Sequence, residues 1–266
     1  MKILIVGGGN MGLTYAKSLL NAHIVTKESM MILEKSNEKA EKIKDLNVGT
    51  VFGEPDAYIK EADLIILAVK PQDSEILFSK IKGFIDHQQV VLSIMAGIPM
   101  AKISAALDCQ KIIRAMPNLP AQVGSGMTVY TSSVEVTRIE LVMVQNILNS
   151  TGKTIYVDNE ELIDASTAIS GSGPAYVFFY IQSLIDSAQH LGFSKSQAEL
   201  LAYTTFKGTI NLFNKHNFSC EEWISKVASR GGTTEAALNS FASNEVKAKL
   251  GEAYQAAFSR ARELSE

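Results

Sequence analysis

The chain has 266 residues, of which 46% are apolar and 20% charged, with a formal net charge of −3. That length suits one large domain or two ordinary ones, and that composition supports a sizeable core. The well-mixed charge lacks the basic excess that nucleic-acid binding needs, and no apolar run approaches the roughly 18 residues of a membrane-spanning helix.

The apolar run at residues 3–6 ends in three glycines, which suits a first strand and not a secretion signal. Cys109 and Cys220 stand far apart without metal-type spacing. We therefore expect a cytoplasmic protein without structural disulfides, nucleic-acid partners or membrane association.

In chain order, the pattern predicts a strand at 3–6, a helix at 10–21, a strand at 30–33, a helix at 38–46 and a short strand at 50–52. Further strands are predicted at 63–69, 89–94, 112–115 and 123–130. A helix at 136–149 and a strand at 154–157 follow. Such alternation implies a parallel sheet covered on both faces. Beyond residue 158 the pattern turns helical: 161–168, 174–191, 194–214, 220–227, 234–243 and 244–264. Ser194 reads as a helix cap and Gly192 as a stop. The expected fold is α/β, with a doubly wound, mostly parallel sheet over 1–158 and an all-helical domain over 159–266.

The loop Gly7-Gly8-Gly9-Asn10-Met11-Gly12 contains G-x-G-x-x-G directly between a strand and a helix, the context that makes this motif a dinucleotide fingerprint. Gly7 allows the tight turn, Gly9 lets the backbone approach the pyrophosphate, and Gly12 lets the helix pack on the strand. Unpaired backbone N–H groups at the helix start then face the phosphates. At the end of the second strand, Glu34 suits the ribose 2′-OH of NAD. The adjacent Lys35 and Ser36 suit the 2′-phosphate of NADP. The sequence leaves both cofactors open. Ala68-Val69-Lys70-Pro71 ends the fourth strand at the same sheet edge, and Gly97 and Gly124 also follow strands. Lys70 reads equally as a substrate-facing cation and as a solvated strand end.

Three further segments carry unusual chemistry. Met116-Pro117-Asn118-Leu119-Pro120 forms a rigid corner. Ser170-Gly171-Ser172-Gly173-Pro174-Ala175-Tyr176 reads as a hydroxyl-rich loop entering a helix. Ser229-Arg230-Gly231-Gly232-Thr233-Thr234-Glu235 combines accessible backbone N–H groups, hydroxyls and a helix start, which suits a small carboxylate. Taken alone, that last segment is better explained by an ordinary helix start capped by Thr233 or Thr234. The four histidines show no metal-type spacing.

Together these segments resemble pyrroline-5-carboxylate reductases over essentially the whole chain. The resemblance implies a Rossmann domain followed by an all-α dimerisation domain, in a homodimer or a higher oligomer of dimers. It implies reduction of pyrroline-5-carboxylate to L-proline by hydride transfer from NADPH or NADH, at a site between the Rossmann domain and helices of the dimer. On this resemblance the substrate carboxylate meets the Thr233 and Thr234 N–H groups beside Gly231 and Gly232. The Thr234 hydroxyl bonds the ring nitrogen, and Glu160 lies near the substrate. The cofactor contacts Gly7, Gly9, Asn10, Met11, Gly12 and Ala68. Glu34, Lys35 and Ser36 stand at its ribose. Val69, Lys70, Pro71, Ala96 and Gly97 stand at its nicotinamide.

The chain departs from the family pattern at Arg230, where relatives have proline, and at Glu34, where many have a small polar residue. Pro55 stands where relatives can carry a polar residue. A reductase of β-hydroxyacid type would need a catalytic lysine; Lys207 is the sole candidate and lacks the flanking motif. A non-catalytic cofactor-binding regulator would not need Thr234 with its glycine pair.

Overall fold

The short apolar runs near the N-terminus are buried on both faces, which only a sheet sandwiched between helices provides. The computed structural model describes residues 1–265. Among these, eight strands form one sheet: β1 (Ile3–Val6), β2 (Met30–Leu33), β3 (Thr50–Phe52), β4 (Leu64–Leu67), β5 (Val90–Ser93), β6 (Ile112–Met116), β7 (Gly126–Ser132) and β8 (Gly152–Tyr156). Their order is β3-β2-β1-β4-β5-β6-β7-β8. Every pairing is parallel except β6 with β7.

Alternation along β1 divides the core into two layers. Ile3 and Ile5 pack with Tyr15 and Leu19 of α1 (Asn10–Asn21), and with Val144, Ile147 and Leu148 further along the chain. Leu4 and Val6 belong to the opposite layer with Phe78, Ile81, Ile103 and Leu107. The helices supplying these residues are α3 (Ser74–Ile81), α4 (Met100–Leu107) and α5 (Arg138–Asn149), and α2 (Asn37–Asp45) adds Ile43 to the first layer. The mostly parallel, doubly wound sheet expected from sequence is therefore present.

The expected elements differ in detail. The sequence pattern predicts no helix at α3 or α4. Both are only eight residues long and follow prolines, Pro71 and Pro99. The strand expected at 123–130 starts at Gly126, because residues 119–123 form a 3-10 turn that Gly124 ends at φ +69. The hydroxyl-rich loop is helical: α6 (Glu161–Ser166) runs into a π turn, Thr167–Gly171, before α7 (Gly173–His190). The Ser172 N–H reaches the Thr167 carbonyl. The hydroxyls of Thr167 and Ser170 donate to the carbonyls of Ile163 and Ser166, a back-bonding that accompanies bent helices.

The chain separates into two compact units. One holds Met1–Gly173 and the chain from Ala257 onward, and the other holds Pro174–Ala256. Strands end near residue 158, but α6 and the π turn still belong to the sheet's unit, because side chains on β6 and in the corner after it bind them. The second unit contains most of α7, α8 (Lys195–Phe213), α9 (Cys220–Val227), α10 (Thr233–Ser243) and the start of α11 (Val246–Ser265). Ser194 caps α8 in a reciprocal box with Gln197, as its sequence position suggests.

Gly12 sets the approach of α1 to β1. A Cβ there would collide with the Gly7 carbonyl oxygen, which is backbone and cannot swing away. Gly12→Ala is expected to lower stability by about 1–3 kcal/mol, read as a shift of the urea unfolding midpoint. An unchanged midpoint would contradict this packing.

Candidate functional site

The carboxyl ends of β1, β2, β3 and β4 open onto a crevice of about 260 Å³ at the point where strand order reverses. Ligands of open α/β sheets bind at such switch points. Gly7 (φ +108) makes the turn out of β1, and a Cβ there would meet the Ala68 carbonyl oxygen at 2.8 Å. Gly9 precedes α1 and faces open space, with nothing within 4 Å of where a Cβ would stand. No side chain caps α1. Its first N–H groups, on Asn10, Met11 and Gly12, therefore lack acceptors within the helix. A backbone cradle of open N–H groups fits the pyrophosphate of a dinucleotide.

Glu34 is buried at the end of β2. Its Oε2 accepts from the Gly8 N–H at 3.0 Å and its Oε1 from the Ser36 N–H at 2.9 Å. The carboxylate thus fixes the glycine loop while lining the crevice. Lys35 turns to the other wall and pairs with Asp73 at 2.7 Å. The Ser36 hydroxyl caps α2. Ala68, Val69 and Lys70 line the crevice, and Pro71 opens the short turn before α3.

Ala96 and Gly97 lie beyond β5 and outside the residues lining the crevice. Gly97 is buried with φ +68, and a Cβ there would meet Leu264 at 2.8 Å. The final turn of α11 therefore supports this loop.

Glu160 stands at the start of α6, where its Oε1 accepts from the Met100 N–H at 2.8 Å and from Arg114 Nη1 at 3.0 Å. Arg114, 1% exposed, lies in the middle of β6. Its Nη2 donates to Asp164 Oδ1 at 2.6 Å, and the Ser265 hydroxyl donates to the same carboxylate oxygen at 2.9 Å. This network joins β6, α4, α6 and the end of α11. The sequence reading missed Arg114 and Asp164. The available signal was a charge inside the apolar run Ile112-Ile113-Arg114-Ala115, a position where an unpaired charge is too costly to keep.

The proline-bracketed corner also joins this frame. Asn118 Nδ2 donates to the Ser170 carbonyl at 3.0 Å, and its Oδ1 accepts from the Met127 N–H at 2.9 Å. The structure thus brings the corner and the hydroxyl-rich segment together inside the first unit. Cys109 is buried, and burial with nearby Asp108 pushes its thiol up to about 11. It is therefore protonated and unreactive at neutral pH.

In the second unit, Gly231 has φ +74 and its N–H donates to Glu235 Oε2 at 2.7 Å. Gly232 precedes α10, and no side chain caps that helix. The N–H groups of Thr233 and Thr234, like those at the start of α1, lack intrahelical acceptors. Thr234 is half-buried and Arg230 exposed. Lys207 is exposed, with its Nζ 5.5 Å from the Tyr203 ring centre. Helix α7 buries none of its residues within the chain. It exposes Phe178 and Phe179, while α8 exposes Leu200 and Ile210. Apolar exposure on this scale marks an association surface.

Residues 160–264 match the family model described as pyrroline-5-carboxylate reductase dimerisation, and residues 2–97 match that described as NADP oxidoreductase coenzyme F420-dependent. A pyrroline-5-carboxylate reductase of Aquifex aeolicus is 37% identical over 236 residues, covering 88% of this chain and 86% of that protein. The chain belongs to the pyrroline-5-carboxylate reductase family. A family member from Staphylococcus haemolyticus is 32% identical over 100% of this chain and 98% of its own. The solved pyrroline carboxylate reductase of Plasmodium falciparum, with NADP bound, superposes with a TM-score of 0.89 at 28% identity. That match covers 100% of this chain and 98% of the other.

Asp164 and Glu160 share the charge of a guanidinium that is almost fully buried. Asp164→Ala takes the carboxylate from Nη2 while Glu160 keeps Nη1, and is expected to cost about 2–3 kcal/mol, whereas Ser265→Ala costs about 1 kcal/mol. Chemical denaturation of both variants checks the ranking. Equal losses would show that Asp164 is not Arg114's essential partner.

Proposed function

We infer that this chain reduces L-1-pyrroline-5-carboxylate to L-proline with NADPH or NADH, the last step of proline biosynthesis. The observation that carries the reading is the full-length family match, in a chain whose glycine cradle is intact. When bound, the nicotinamide supplies the hydride that reduces the C=N bond. The chain's own task is to hold two reactants, and orientation is a large part of the barrier reduction in such reactions. A protonated cyclic imine is already electrophilic, so no histidine or cysteine is needed to activate it.

The glycine cradle before α1 would hold the pyrophosphate through Gly7, Gly9, Asn10, Met11 and Gly12. Val69, Lys70, Pro71, Ala96 and Gly97 would border the nicotinamide. The open N–H groups of Thr233 and Thr234 at α10 would hold the substrate carboxylate, with Gly231 and Gly232 keeping the approach clear. The Thr234 hydroxyl would bond the ring nitrogen. Glu160, whose Oε1 is held by Arg114 and Met100, would present its other oxygen towards the substrate. Division of labour between a cofactor domain at 1–158 and a helical substrate and dimerisation domain at 159–266 follows from this assignment. Self-association covers the apolar faces of α7 and α8, as a homodimer or an assembly of dimers. No described helix is long and apolar enough to cross a membrane, which supports a cytoplasmic setting.

Purified protein mixed with pyrroline-5-carboxylate is expected to oxidise NADPH or NADH, followed by loss of reduced-cofactor absorbance. Oxidation of neither would overturn the reading. Thr234→Ala is expected to lower kcat/KM roughly 10- to 100-fold, the worth of one hydrogen bond to a charged group, with cofactor binding unchanged. Unaltered kcat/KM would remove Thr234 from the site. Light scattering is expected to give at least twice the chain mass of 28.9 kDa; a monomer would contradict the proposed covering of α7 and α8.

A further inference from the structure

We infer that the ribose end of the crevice is built for a free 2′-hydroxyl, so that this chain takes NAD(H) in preference to NADP(H), with Glu34 as the specificity-determining residue. The inference rests on the reading of the crevice as a dinucleotide site. Glu34 lines that crevice at the end of β2, the position from which an acidic side chain reaches the ribose in NAD-binding sheets. Its two backbone hydrogen bonds, from Gly8 and Ser36, fix the carboxylate in place. Each oxygen keeps a second lone pair, so the group can still accept from a ribose hydroxyl.

A 2′-phosphate fares differently. It would bring about −1.5 to −2 charges against a fixed carboxylate. Arg and Lys side chains and backbone N–H groups ordinarily offset such charge. Here Lys35 is drawn to Asp73, and Lys80 to Glu54. The Ser36 N–H is bonded to Glu34 itself, and the Ser36 hydroxyl oxygen accepts from the Lys39 N–H at the start of α2, which leaves its O–H as one neutral donor. Pro55, on the same crevice wall as Gly53, has no N–H to offer. Among the described crevice residues, Lys39 and Lys70 are the cations without an acidic partner; both are exposed to solvent, and Lys70 follows β4, on the proposed nicotinamide side.

Calorimetric or fluorescence titration of the full chain with NADH and with NADPH, without substrate, tests the inference. The expected result is NADH bound about tenfold or more tightly than NADPH, the scale of one charge-assisted hydrogen bond. Glu34→Ser removes the carboxylate and Glu34→Gln removes its charge at nearly constant shape. Both are expected to bring the affinity ratio towards unity or below. Any loosening of the glycine loop weakens both cofactors alike, since both share the pyrophosphate, and so leaves the ratio to report the 2′ position. Tighter binding of NADPH by the parent, or a ratio that neither Glu34 variant moves, would overturn the inference while leaving the dinucleotide reading intact. Binding of neither cofactor would overturn both.

Discussion

A helix start leaves backbone N–H groups that nothing within the helix can satisfy, and the candidate chemistry of this chain depends on where those groups are left open. Helices α2, α5, α8 and α9 close theirs with Ser36, Thr137, Ser194 and Ser219. Helices α1 and α10 start on glycines and carry no side-chain cap. A capping side chain is worth about 1 kcal/mol over alanine but only a few tenths over glycine. Its replacement by glycine at these two starts exchanges a local contact for open donors, an exchange that favours anions. In the proposed function one start serves a pyrophosphate and the other a carboxylate.

The open cradle before α1 is useful only if it is rigid. Its rigidity comes from contacts that the motif itself does not contain. Glu34 bonds the Gly8 N–H from the neighbouring strand, and the Ala68 carbonyl packs against Gly7 from the other side. Further along the sheet edge, the Gly97 loop is backed by Leu264. The start of α4 is tied through Glu160 to Arg114 and Asp164. A buried ion network of this kind contributes little net stability but penalises every arrangement that separates its members. It therefore acts as a positional constraint on the loops at that edge.

Much of the first unit was legible in sequence because its signals are local. Residues 3–12 contain both a buried strand and the turn that follows it; the same holds in the second unit where Ser194 stands three residues before the Gln197 that completes its capping box. What remained hidden is non-local or ambiguous. Arg114 announces a buried charge, but its partners Glu160 and Asp164 lie 46 and 50 residues away, and no spacing rule joins them. The segment Ser170-Gly171-Ser172-Gly173 has loop composition, yet the Ser170 hydroxyl, like that of Thr167 before it, back-bonds to a helix carbonyl where the chain forms a π turn. Helices α3 and α4 offer only two or three buried positions each, too few for a clear helical period. Lys35 and Ser36 have the chemistry of a phosphate site; their contacts with Asp73 and with the start of α2 are not announced by any spacing in the sequence.

In the proposed function the two glycine-led helix starts bind different anions, a pyrophosphate at α1 and a carboxylate at α10. Hydrogen–deuterium exchange on the full chain, with NADH alone and with L-proline alone, reads each start separately. NADH is expected to slow exchange at residues 8–12, and L-proline, as the reaction product, to slow exchange at residues 231–236. Protection of 8–12 by NADH with no effect of saturating L-proline on 231–236 would contradict the assignment of the second start to a carboxylate.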